Sequence, residues 1–150
     1  MLIRSERLGT VKATADQVFL FPDGLVGMPR IRQWALLSDS DHPSLAWLQS
    51  TARAEICLPV VSPRLYFPDY RARIAGRDLE VLRLRAGSET FILTTVSLWD
   101  GRLTTNLRAP IILNAGDGLG AQLTTSDAQP IRRPLPMESS VLSNDRVRAA

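Results

Sequence analysis

Phe91-Ile92-Leu93-Thr94-Thr95-Val96-Ser97-Leu98-Trp99 runs for nine residues without a charge, a glycine or a proline. Ile92, Thr94, Thr95 and Val96 are β-branched, and such side chains pack well on a pleated surface. In an extended chain Ile92, Thr94, Val96 and Leu98 fall on one face. The stretch therefore predicts a central strand, and its period-two pattern recurs on both sides of it.

Upstream, Ile56, Leu58 and Val60 share one face while Glu55 and Cys57 take the other, and Pro59 places an edge or a bulge near the end of that strand. Further strands are predicted at Ile3 to Arg7, Gln17 to Phe21, Trp34 to Leu37, Leu45 to Gln49 and Arg71 to Ile74. Downstream they are predicted at Leu103 to Leu107, Ile111 to Leu113 and Ala121 to Thr124. Short strands at intervals of about ten residues, separated by turn residues, predict an all-β fold, a small barrel-like or sandwich domain. One short helix is expected, with Asp78 as N-cap, Leu79 and Leu82 on its buried side and Gly87 as the left-handed stop; the alternative reading takes Leu82 to Arg85 as a strand. Turns are read at Pro22-Asp23-Gly24 and at Gly116-Asp117-Gly118-Leu119-Gly120, and Pro63 and Pro68 bracket an extended loop.

A chain of 150 residues with 45% hydrophobic composition can bury one core. The periodic part is read as a β domain over residues 1–135. From Pro130 the periodicity fades through Pro134 and Pro136, so residues 136–150 are expected to be a flexible polar tail. No apolar run approaches the roughly 20 residues that a spanning helix needs. The first residues alternate apolar and charged side chains, unlike a secretion signal. Cys57 is the only cysteine, which excludes an intramolecular disulfide and fits a reducing, cytoplasmic setting.

The formal charge is +3, and Arg132, Arg133, Arg146 and Arg148 near the end outweigh Glu138 and Asp145, leaving the preceding body close to neutral. All basic residues but Lys12 are arginine, a bias that serves phosphate or carboxylate recognition only where the residues cluster and that codon composition also explains.

Catalytic chemistry finds little footing. His42 is the sole histidine and sits in the loop-like Ser40-Asp41-His42-Pro43-Ser44, so a multi-histidine metal site is excluded. No G-x-S-x-G elbow occurs. The glycines after Ile111-Ile112-Leu113 lead into the strand-like Gln122-Leu123-Thr124-Thr125, where a dinucleotide turn would have to open a helix. The chain is therefore read as no enzyme, without cofactor or metal. An RNA-binding reading would use Tyr66, Phe67 and Tyr70 for stacking beside Arg64, Arg71 and Arg73.

Taken in order, several segments resemble the FliW family of bacterial flagellar assembly factors. They are Phe21-Pro22-Asp23-Gly24-Leu25-Val26-Gly27, Trp47-Leu48-Gln49-Ser50, Leu65-Tyr66-Phe67-Pro68-Asp69-Tyr70, Asp78 to Leu82 feeding Phe91 to Val96, and Thr104-Thr105-Asn106-Leu107-Arg108-Ala109-Pro110-Ile111-Ile112-Leu113-Asn114 with Gln122 beyond. Gly24, Gly27, Asn106, Asn114 and Pro110 read first as scaffold at turns and strand ends. The resemblance implies a cytoplasmic β-barrel-like protein, without catalytic residues or cofactor, that binds flagellin before export and binds the translational repressor CsrA. Export of flagellin would free the protein to relieve repression of flagellin messenger RNA. Under this reading it is a monomer when free and contacts neither membrane nor nucleic acid directly; the alternatives are a flagellin chaperone only, or the RNA-binding barrel. Partner contact is expected at Phe21, Asp23, Leu25, Phe67, Asp69, Tyr70 and Asn106, on the argument that exposed aromatics beside tight turns anchor interfaces. A near-neutral body departs from the acidity expected of a partner for basic CsrA, unless Asp23 and Asp69 form a local acidic patch.

Overall fold

The computed structural model describes residues 1–143. Its strands are β1 (Leu2–Ser5), β2 (Gly9–Lys12), β3 (Val18–Leu20), β4 (Gln33–Ser38), β5 (Leu45–Ser50), β6 (Cys57–Val61), β7 (Thr90–Trp99), β8 (Arg102–Thr105), β9 (Ile111–Asn114), β10 (Leu119–Gln122) and β11 (Arg133–Pro134). Hydrogen bonding runs β7-β6-β5-β4-β3-β10-β9 and then returns from β9 to β7. Seven strands thus close a barrel, and closure removes the open edges that invite aggregation. Every neighbouring pair in the ring is antiparallel except β3 and β10, which meet in parallel at Leu20 and Leu119.

The predicted central strand does two jobs. Thr90 to Leu93 pair with β9 and seal the barrel, whereas Val96 to Trp99 pair with β8 to form a hairpin outside the ring. On its other edge Thr94 and Thr95 pair with β6. The hairpin turns at Asp100 and Gly101, whose φ values of 50° and 74° are those of a two-residue turn matched to strand twist. Pro59 pairs with Trp47 of β5 at a level where β6 has no partner on its other side, since its ladder to β7 covers Val60 and Val61.

Inside the ring lie Phe19, Phe21, Leu25, Trp34, Leu48, Val60, Leu93, Ile111 and Leu113. The interior position of β10 is Gly120, because any Cβ there would collide with the Phe21 ring and crowd Leu113. The face shared by Ile92, Thr94 and Val96 lies on the outside of the wall and is covered by other layers. Three such covers exist. The β1–β2 hairpin, with Ile3 and Val11, lies over Ala35 and Leu37. Ile74, Leu79 and Leu82 cover Ile92, Ile112 and Ala121. Leu135 and Val141, with Phe67, cover Leu45, Trp47, Val61, Val96 and Leu103.

Three local expectations need correction. Arg71 to Ile74 form no ladder; this run is extended chain held by bonds to Ser126, and Ile74 packs with the cover over β9 and β10. The helix is a 3-10 segment, Gly76–Leu82, that starts before Asp78 and is stopped by Arg83 in the left-handed region at φ 51°, ahead of Gly87. From Pro136 through Ser143 the segment expected to be a free tail is docked: Val141 is buried, Ser139–Leu142 form a 3-10 turn, and the Arg7 guanidinium donates to the Leu142 carbonyl at 2.8 Å. Its apolar residues sit among polar ones, which hides their shared face from a composition reading. The rest of that expectation, residues 144–150, lies outside the described residues. Among the described residues no helix is long and apolar enough to cross a membrane.

Candidate functional site

Three of the five motif segments, Phe21 to Gly27, Leu65 to Tyr70 and Thr104 to Asn114 with Gln122, are joined by one run of hydrogen bonds. The loop after β3 is closed by Gly24 N donating to Phe21 O at 2.9 Å and by Met28 N donating to Leu25 O at 2.8 Å. Gly24 has φ +65° and lies against the Met28 carbonyl and Pro29, so a side chain fits neither the backbone nor the space. From the tip, Val26 N donates to Gln122 Oε1 at 2.9 Å, and Gln122 Nε2 donates to Ala109 O at 3.0 Å. Asn106 Oδ1 accepts from Arg108 N and Ala109 N, folding the loop before β9. Tyr70 Oη then donates to Leu107 O at 2.8 Å, which brings in the loop that follows β6.

This framework sorts the expected contact residues. Phe21, Leu25 and Tyr70 are buried, so the expectation of exposed anchors at these three is corrected: their side chains hold the loops from beneath. Asn106 spends its carbonyl oxygen on the turn it makes. Phe67 is half-buried, with the Arg133 guanidinium 4.6 Å from its ring centre. Asp23 and Asp69 are exposed. Two further apolar side chains are exposed in these loops: Val26 at 68%, which the sequence did not single out, and Leu65 at 64%, at the head of the Leu65 to Tyr70 loop where contact was expected. Asp23, Val26, Gln122 and Leu123 border a shallow pocket of about 290 Å³.

The same geometry bears on the other chemistries. Tyr70 is buried, Arg133 covers Phe67, and Tyr66 Oη donates to Ser44 Oγ at 2.9 Å, so the three aromatics present no open stacking platform. Ser44 Oγ lies 3.1 Å from His42 Nδ1; with the tyrosine donating to the serine, the contact clasps two loops together. Burial, reinforced by the nearby Asp127 carboxylate and opposed by Arg64, raises the Tyr70 phenol to about 12. Burial also raises the Cys57 thiol to about 11 against the pull of Arg7 and Ser5, so it is almost entirely un-ionised at neutral pH. Among the described residues no group of His, Cys, Asp or Glu side chains could hold a metal ion.

A closed seven-strand barrel with braced loops that leave a few acidic and apolar side chains exposed defines a small all-β barrel protein. Comparison with known proteins gives the particular family. The pattern of the FliW protein family matches residues 2–135, and the chain belongs to that family of flagellar assembly factors. It is 32% identical to the flagellar assembly factor FliW of Bdellovibrio bacteriovorus (strain ATCC 15356 / DSM 50701 / NCIMB 9529 / HD100), an alignment covering 98% of this chain and 87% of the relative. With the FliW of Thermotoga neapolitana (strain ATCC 49049 / DSM 4359 / NBRC 107923 / NS-E) it shares 32% identity over 85% of this chain and 87% of that one. A crystal structure of the flagellar assembly factor FliW superposes with a TM-score of 0.83 at 23% identity, covering 93% of this chain and 99% of that one, which shows the shared fold.

Proposed function

We propose that this protein binds flagellin in the cytoplasm before export and, once freed of flagellin, binds CsrA and relieves its translational repression. The observation that carries the reading is the convergence of three of the family's motif segments on one braced loop framework, in whose loops Asp23, Val26, Leu65 and Asp69 are exposed. Asp23 and Asp69 supply carboxylates for a basic partner even though the chain's total charge is +3. Coupling translation to export requires that the two partners exclude or weaken each other.

The test is a titration of the purified protein against flagellin and CsrA from the same organism, alone and together, with a flagellin-leader RNA as control. Binding of both proteins, each weakening the other, is expected. Binding of flagellin without CsrA reduces the function to a chaperone, and binding of the RNA alone overturns the reading.

A further inference from the structure

The segment Arg71 to Arg85 crosses the outside of β9 and β10 with Ile74, Leu79, Val81 and Leu82 packed down. Leu82 is fully buried, and Ile74, Leu79 and Val81 pack beside it on Ile112 and Ala121. Its charged residues consequently face solvent: Arg71, Arg73, Arg77, Arg83 and Arg85 are all exposed, against the two carboxylates Asp78 and Glu80. That surplus of three equals the formal charge of the whole chain. Among the described residues only Arg85 has an ionic partner here, Asp117 at 3.2 Å, which ties the end of the segment to the β9–β10 turn.

Next to this band the surface opens into a recess of about 650 Å³ lined by Arg83, Leu84, Arg85, Asp117 and Leu119. Leu84 is 36% exposed and Leu119 partly buried, so the recess offers apolar surface with guanidinium groups beside it. Arg83 is fixed there by the left-handed backbone that ends the 3-10 segment. The residues from 71 to 85 include no aromatic, so the band lacks the stacking surface that single-stranded nucleic acid uses. Guanidinium groups instead match carboxylates in paired, planar hydrogen bonding.

We propose that this face docks an acidic peptide segment carrying an apolar residue, whose apolar side chain enters the recess against Leu84 and Leu119 while flanking carboxylates pair with Arg83 and Arg77. The inference stands independently of the partner reading above.

A fluorescently labelled synthetic peptide with one leucine flanked by glutamates tests it by anisotropy at low and physiological salt, with binding mapped by amide chemical shifts. The peptide is expected to bind, to weaken with salt and to shift the amides of Leu84 and Leu119. Arg83→Glu and Arg77→Glu should each weaken binding about tenfold or more, whereas Arg4→Glu on β1 should leave it unchanged. Equal affinity for the peptide with serine in place of leucine would overturn the proposal. So would tighter binding of a single-stranded oligonucleotide of the same charge, shifts confined to other residues, or no binding at low salt.

Discussion

Leu48 and Trp47 are neighbours on β5, but Leu48 points into the barrel and Trp47 points out beneath the C-terminal segment. The inner cluster draws residues from six of the seven ring strands, and all of them are fixed by closure of the ladder. The outer cluster shares those strands on one side, but on the other it depends on Leu135 and Val141, a segment attached by a few bonds such as Leu135 N to Leu103 O and Arg7 to Leu142 O. Both are apolar and both exclude water. They differ in that one is enclosed by the ring itself and the other by a separate segment laid against its outside.

That difference predicts a ranking of mutational cost. Leu113→Ala should lose about 2–5 kcal/mol of unfolding free energy in urea titration, because the ring cannot relax around the hole. The contrast would collapse if this loss were no larger than that at the cover. Tyr70→Phe should cost about 1–3 kcal/mol by leaving the Leu107 carbonyl without its donor. Its titration has a definite sign: the folded phenol holds its proton to about pH 12, so the stability it contributes is complete below about pH 10 and is lost as pH rises towards 12. Thermal unfolding followed across that range checks the loss, which the phenylalanine variant should lack. Val141→Ala at the cover should cost about 1 kcal/mol, leaving the barrel folded by circular dichroism.

Cys57 sharpens the contrast because it packs against the outer cluster. With its thiol at about 11, up from 9.0, the native protein at pH 8 should react with a thiol reagent about a hundredfold more slowly than an unperturbed cysteine. Truncation before Leu135 should raise that rate if the cover is separable, while a rate unchanged by truncation would show burial by the barrel wall alone. The smallest effect belongs to the display surface: Asp23→Ala should change stability by less than about 0.5 kcal/mol, measured in urea.

The ladder was legible where a strand carried its own alternation, as in β7, or where a short apolar run lay between turn signals, as in β4, β5 and β9. It was not legible at Gly9–Lys12, where a short, largely exposed strand carries little apolar pattern of its own and exists by pairing with β1. Nor could alternation say which face was inward: in a barrel covered from outside, Ile92 and Leu93 both meet apolar neighbours. The motif loops were located by their glycines, prolines and asparagines. Their aromatics were misjudged because Phe21 and Tyr70 serve the turns from below, a matter of depth that loop composition does not encode. The scaffold reading of Asn114 fits its buried bond to Leu82 O at 2.8 Å.

The single parallel contact between Leu20 and Leu119 also carries a kinetic consequence. Hairpins such as β4–β5, β7–β8 and β9–β10 can form between near neighbours in the chain, but joining the third strand to the tenth must wait until most of the polypeptide between them has been gathered. The entropy of bringing distant segments together is spent before the contact returns anything. Such topologies refold on the millisecond-to-second scale, roughly, and not in microseconds. The ring is therefore a slow clock: newly made chains spend an interval with β3 and β10 unpaired, and their exposure to other strands is greatest during that interval.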